Sequence, residues 1–223
     1  MYENRVALLF SGGRDSLLCA LRLEEVEELH LITCDNCHIE GINHICYTID
    51  NIKDIRYAKT TIHAVLHIQA KFHKYLKPFM ESYGCVCPML HCTCFACRLA
   101  MIVNTIQYCK KYKINMIATG DRQSDPYLLS TKSIQKLFKK LCSDNNIKYV
   151  TPVYDIVSDY DRNIEISEKG VIPKTYECKC WLGYEPTIDI LHSDIKYVKE
   201  FYLNEVYPLI LSDLKKEDVC HEN

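Results

Sequence analysis

Residues 6–23 read VALLFSGGRDSLLCALRL, an apolar run that stops at two glycines and resumes as an amphipathic stretch. No other segment limits the fold so tightly. A continuous apolar run such as Val6 to Phe10 within RVALLF at 5–10 suits a strand covered on both faces, and such strands belong to parallel sheets. From Asp15 onward the pattern suits a helix, with Asp15 or Ser16 at its start. A strand that turns through Ser-Gly-Gly into a helix leaves backbone N–H groups pointing outward beside the positive helix end. Glycine lets a ligand approach that backbone, so the place favours an anion. A glycine pair alone is an ordinary turn. The full string Ser11-Gly12-Gly13-Arg14-Asp15-Ser16 behind a buried strand is far more specific. It is not the lysine-bearing P-loop, since no lysine follows at the required place.

Similar apolar runs at 29–34, 62–68 and 114–120 predict three more strands, and IKYVTPVYD at 147–155 a fifth. Helices are expected at 15–28, 69–82, 93–112, 128–142 and 191–214. In the third of these, Phe95, Leu99, Ile102, Val103 and Ile106 recur on one face. Alternating strands and helices predict an α/β fold, a doubly wound, mainly parallel sheet in one domain over 1–223. Segments 35–50, 83–93 and 170–188 read as irregular. Cysteine-rich insertions fall at 83–97 and 175–183, ahead of a helical tail from about 188.

Net charge is −2, which gives no global basic field for nucleic acid; RNA would need a local patch or a partner. Lys132, Lys136, Lys139 and Lys140 share one face of the helix 128–142, a surface for RNA phosphates or simply a solvated one. With no leader pattern and no long charge-free apolar run, the expectation is a soluble, cytoplasmic protein away from membranes. The 14 cysteines then indicate metal or sulfur chemistry in a reducing compartment rather than a disulfide scaffold.

The string Ser11–Ser16 resembles the SGGxDS signature of the PP-loop ATP pyrophosphatases, the adenine nucleotide alpha hydrolase-like superfamily. MIATGDRQSDPYLLS at 116–130 is similar to that superfamily's second signature, a strand ending in Thr-Gly. Many members carry histidine and paired aspartates after it, whereas this chain has Asp121 and then Ser124-Asp125. The resemblance implies that a substrate oxygen attacks the α-phosphate of ATP and pyrophosphate leaves. It assigns the pyrophosphate to Ser11, Gly12, Gly13, Arg14, Asp15 and Ser16, with Asp15 and Ser16 catalytic and Asp15 assisting Mg2+. Thr33 and Cys34 fall near the adenine by position, and Thr119, Gly120 and Asp121 beside the nucleotide.

CVCPMLHCTCFACR supplies Cys85, Cys87, Cys92, Cys94 and Cys97, and YECKCWLGY supplies Cys178 and Cys180. Cys94 and Cys97 at a helix start would favour thiolates. One CxxC with a remote cysteine beside an SGGxDS loop resembles the cluster-dependent tRNA thiolation enzymes. That resemblance implies a 4Fe-4S cluster on Cys94, Cys97 and Cys180, with Cys178 the close alternative, a catalytic role for Cys94 and Cys97, and sulfur transfer to a tRNA or small-molecule carbonyl. A sulfur donor protein would supply the site, and a homodimer is left open. A competing resemblance is to 7-cyano-7-deazaguanine synthase, with Zn2+ and nitrogen transfer, although the cysteine spacing departs from its pattern. A third reading is a non-catalytic nucleotide-binding regulatory subunit. Cys34, Cys37 and Cys46 are left undecided. Cys19, Cys109 and Cys142 are expected as packing residues, and His30, His63 and His67 as satisfied core histidines. His91 is read as a ligand or a solvent-facing loop residue.

Overall fold

The computed structural model describes residues 4–82, 89–174, 178–182 and 190–220, with side chains as far as Lys215; Cys85 and Cys87 lie outside these segments. In chain order the elements begin with β1 (Arg5–Leu9), α1 (Arg14–Arg22), β2 (Glu28–Asp35), β3 (Ile39–Glu40) and α2 (Cys46–Ile55). Then come β4 (Thr60–His67), α3 (Gln69–Glu81), α4 (Met89–Tyr112), β5 (Met116–Ala118) and α5 (Lys132–Ser143). Last are β6 (Lys148–Val150), α6 (Asp159–Glu168), β7 (Lys179–Cys180), α7 (His192–Phe201) and α8 (Tyr207–Cys220).

Five strands form one sheet in the order β4-β2-β1-β5-β6, every pair parallel. The pleat of β1 sends Val6 and Leu8 to one face, where the helices α1, α2 and α6 cover them. Ala7 and Leu9 go to the other, under α3, α4, α5 and the C-terminal helices. The doubly wound expectation holds. The chain steps from β1 out to β2 and β4, then returns to place β5 on the opposite side of β1. That reversal makes a crevice between the C-terminal ends of β1 and β5, the usual ligand position in open α/β sheets.

Helix α4 is the central rod of one core. Phe95, Leu99, Ile102, Val103 and Ile106 are all buried, as their spacing predicts, and each such side chain contributes about 1.5–3 kcal/mol on burial. By length and composition α4 could cross a membrane, yet 61% of its most apolar window is buried inside the molecule. It is a core helix.

Several expectations need correction. α1 stops at Arg22 and α4 starts at Met89, so Cys94 and Cys97 sit in the helix interior rather than at its start. The segment 35–50 is not wholly irregular: Ile45, Ile49 and Ile52 recur at helical spacing and are buried along α2. The fifth strand is only Lys148–Val150, and a turn at 151–154 follows it, with Tyr154 N–H donating to Thr151 O. Beyond lies α6, unforeseen in the sequence. Ser158 caps it by accepting from Asp161 N–H at 3.1 Å.

Candidate active site at the sheet reversal

The glycine turn is knitted from its own side chains. Gly12 takes φ +78°, a left-handed conformation that favours glycine. Gly13 N–H donates to Ser11 Oγ at 3.2 Å, and Ser16 Oγ donates to Gly13 O at 2.9 Å. The two hydroxyls lie 3.4 Å apart. The N–H groups of the first turn of α1 have no intrahelical partners, as at any helix start. The tight strand-to-helix turn read from the string is present.

Gly120, after β5, is pressed against this turn. A Cβ there would stand 2.9 Å from both the Asp15 carbonyl carbon and the Ser16 nitrogen. Thr119 is fully buried and turns its hydroxyl to Asp121 Oδ2 at 2.8 Å. Asp121 is heavily committed: it accepts from Arg98 Nη2 at 3.0 Å, Gln135 Nε2 at 3.1 Å and the Tyr149 hydroxyl at 3.2 Å. Burial raises the Tyr149 pKa well above the ordinary tyrosine range, so that phenol stays a donor.

Between the two turns opens a cleft of about 310 Å³. Ser11, Asp15, Ser16, Thr33, Gly120 and Asp121 line it. So do Cys34 and two residues far along the chain, Cys178 and Cys180. Gly12, Gly13, Arg14, Thr119, Cys94 and Cys97 are not among the residues that line it. The Thr33 hydroxyl is already shared between Phe10 O and His63 Nε2, at 2.9 and 3.0 Å. Arg98, which the sequence reading passed over, also faces the cleft and is held there by Asp121. Its only linear signal is its place next to Cys97.

The late cysteine segment reaches the site as a ribbon. β7 pairs antiparallel with β3, setting Cys180 opposite Ile39. Cys178 N–H donates to Ser11 O at 3.3 Å, and Trp181 N–H to His38 O at 2.9 Å. Asn36, 1% exposed, accepts the His38 N–H at 2.8 Å through Oδ1. That bond turns Nδ2 toward two sulfurs, Cys97 Sγ at 3.4 Å and Cys180 Sγ at 3.8 Å. Cys178 packs instead with the core on the α1 side of the sheet.

Burial raises the Cys94 thiol pKa, with Cys180 adding to it, and pushes the Cys97 thiol up to about 11, with the Asn36 bond acting against burial. The thiolate-favouring helix start is thus overturned. Cys34 is pushed up to about 12, first by burial and then by Cys97. Among the described residues no three His, Cys, Asp or Glu side chains are placed to hold a metal ion. The donor set Cys94, Cys97, Cys178 and Cys180 does not fit a cluster or zinc as it stands.

A second, ionic cluster lies behind Asp15. Arg162 Nη1 donates to Asp15 Oδ1 at 2.8 Å, and Arg122 Nε lies 3.1 Å from the same oxygen. Arg122 also pairs with Asp125 and Asp159, at 2.7 and 2.9 Å. Burial raises the Asp125 pKa, with Arg122 opposing it. Of the histidines, His30 is satisfied by Glu28 and Tyr108, as expected. His67 is not a core residue; its side chain is 78% exposed, 3.3 Å from Asp35. His91 is buried on α4 rather than on a solvent-facing loop.

No protein-family model and no curated protein significantly matches the chain. Solved structures do match. NMN synthetase from Francisella tularensis superposes with a TM-score of 0.53 at 13% identity, over 76% of this chain and 63% of that one. NH3-dependent NAD synthetase from Campylobacter jejuni gives 0.51 at 13% identity, over 96% and 82%. The chain shares the α/β fold of these two synthetases. The likeness is one of architecture, and the chain spans less than two thirds of the length of NMN synthetase. The glycine turn and the Thr-Gly turn meet at the sheet reversal, and two late cysteines line the cleft between them.

Proposed function

We propose that the protein activates a carbonyl oxygen of its substrate with ATP and passes the activated carbon to a sulfur nucleophile on the cysteine wall of the cleft. The substrate oxygen attacks the α-phosphorus and the bond to the bridging oxygen breaks, so pyrophosphate leaves. The outer sulfur of a persulfide carried on Cys180 would then attack the activated carbon, and AMP would depart with the electron pair of the C–O bond. The Cys97 thiolate would take the inner sulfur, so that the S–S bond breaks and the thiocarbonyl is released. A Cys97–Cys180 disulfide would remain, for an external dithiol supplied with the donor to reduce. The hydroxyls of Ser11 and Ser16 and the first N–H groups of α1 would receive the pyrophosphate as its charge grows. Mg2+, which the fold implies, would supply charge neutralisation across the phosphates, with Asp15 as its protein ligand. One observation carries the sulfur reading: Cys180 lines the same cleft as Asp15 and Ser16. The pairing of Cys180 with Cys97 at Asn36 supports a site of two thiols, able to receive sulfur from a persulfide donor. No step here runs through a metal cluster.

The test follows both products. With a thiol-bound persulfide donor and tRNA or a small carbonyl compound, ATP should yield AMP and pyrophosphate together with a thiocarbonyl. Asp15→Ala should cut pyrophosphate release by about 100-fold or more, the scale of losing an electrostatic contact at a transition state. Cys180→Ser should keep pyrophosphate release and lose sulfur incorporation. Release of ADP and phosphate would overturn adenylation. Ammonia serving in place of sulfur, with Cys180→Ser fully active, would replace the sulfur step by a nitrogen-transferring ligase reaction. Metal analysis of anaerobically purified protein and of Cys97→Ser checks the cluster independently.

A further inference from the structure

We infer that Arg162 and Arg122 form a cationic clamp for the pyrophosphate, parked on Asp15 until the anion arrives; the inference rests on the adenylation reading above. The SGGRDS turn carries no lysine. Two guanidinium groups nevertheless converge on one oxygen of its carboxylate, Asp15 Oδ1, at 2.8 and 3.1 Å. Neither residue belongs to the signature string. Arg122 follows the Thr-Gly turn, and Arg162 stands on α6.

Arg162 is the more telling of the two. Its side chain is only 4% exposed, yet among the described residues Nε and Nη2 make no hydrogen bond, although Nη2 lies 3.2 Å from Asp159 Oδ2. Arg122 Nε is likewise without a hydrogen bond, its approach to Asp15 being an ion pair out of alignment. Buried donors are nearly always satisfied, and exceptions call for an explanation. Neither arginine lines the cleft as the structure stands; a phosphate oxygen taking the place of Asp15 Oδ1, with the two side chains swung past Asp15, would supply the missing acceptors. The scaffold behind the clamp is rigid. One helical turn along α6, Glu165 accepts from Arg22 Nε and Nη2, both at 2.6 Å, which fixes α6 against α1.

Charge explains the exchange. Asp15, Asp125 and Asp159 outnumber the two guanidinium groups, so the unliganded cluster tolerates both without a bound anion. Asp15 would release the two guanidinium groups from Oδ1 if it held a divalent cation, whose charge would replace theirs there. Phosphate oxygens then replace the carboxylate as their acceptor, in the bidentate geometry that suits arginine. Asp15 is thereby a competitor for the clamp as well as a metal ligand.

Inorganic pyrophosphate tests this by calorimetry, with and without Mg2+, on the full chain. Arg162→Gln should weaken pyrophosphate binding by roughly tenfold or more, the effect of losing a charge-assisted hydrogen bond. It should do so at least as strongly in an Asp15→Asn background, where no carboxylate competes for the guanidinium group. Asp15→Asn alone should tighten binding without Mg2+ and lose the gain that Mg2+ gives. If Arg162→Gln has no effect once Asp15 is replaced, Arg162 merely positions Asp15 and the clamp is refuted. Should Arg162→Gln fail to fold, Arg162→Lys and Arg122→Gln decide; unchanged affinity in Arg122→Gln sinks the proposal. A wild-type protein that releases pyrophosphate from ATP while its clamp variants bind as before loses only this inference. One that binds no pyrophosphate under either condition loses the adenylation reading too.

Discussion

Gly120 is needed for a neighbour rather than for a ligand. Its Cα meets the Asp15–Ser16 peptide so closely that a methyl group would strike backbone atoms at 2.9 Å. Backbone cannot turn aside as a flexible side chain does. Gly120→Ala should therefore cost about 1–3 kcal/mol, the range for overpacking, and weaken nucleotide binding by shifting the turn. Urea unfolding and ATP titration check this, and wild-type values in both would contradict the contact. The glycine was legible through its Thr-Gly string, but the reason for it was not, because that reason is a residue about a hundred positions earlier. Asp121 has the same history. Its place beside the site was legible, yet its carboxylate serves Arg98, Thr119, Gln135 and Tyr149. No periodicity announces such a convergence of α4, α5 and β6 on one turn.

Among the elements, α6 shows what a linear pattern hides. The signal was there: Ser158 and Asp161 have the spacing of a cap and its third residue. Tyrosines and valines just before it, in 147–155, read as strand and drew the boundary too far. Ser158→Ala should remove about 1 kcal/mol of stability. Because α6 carries Arg162, pyrophosphate affinity should fall along with the urea midpoint. A variant that loses stability but binds as before would detach the cap from the clamp. The elements read well in advance were those with a long apolar period, α3 and α4, and the strands β1, β2 and β4. α2 was obscured because its three isoleucines stand among polar residues and begin inside a short single-turn helix.

At the scale of the molecule, two imidazoles resist protonation: His63, half-buried on the edge strand β4 rather than in the core as expected, and His91, buried on α4. His63 is lowered from 6.5, by burial first and then by Lys53; His91 is lowered by burial, with Asp194 opposing. The unfolded chain thus binds these protons more readily than the folded one. Stability should be full above about pH 6.5 and decline as pH falls from there toward the folded values, then level off. Urea midpoints at about pH 5 and 7.5 measure the drop, and His63→Gln should reduce it. An equal drop in that variant would exclude His63 as a source. The parallel sheet and its reversal were legible from alternation alone, whereas the ribbon that carries Cys178 and Cys180 back to the first turn was not. Its strands are two residues long, too short for any period. That ribbon also sets an order of manufacture. Asn36 and Cys180 are 144 residues apart, so at about 5–20 residues per second a ribosome makes Asn36 roughly 7–30 s before its second sulfur. For that interval the nascent chain carries the glycine turn without its sulfur wall, which is the last part of the cleft to be synthesised.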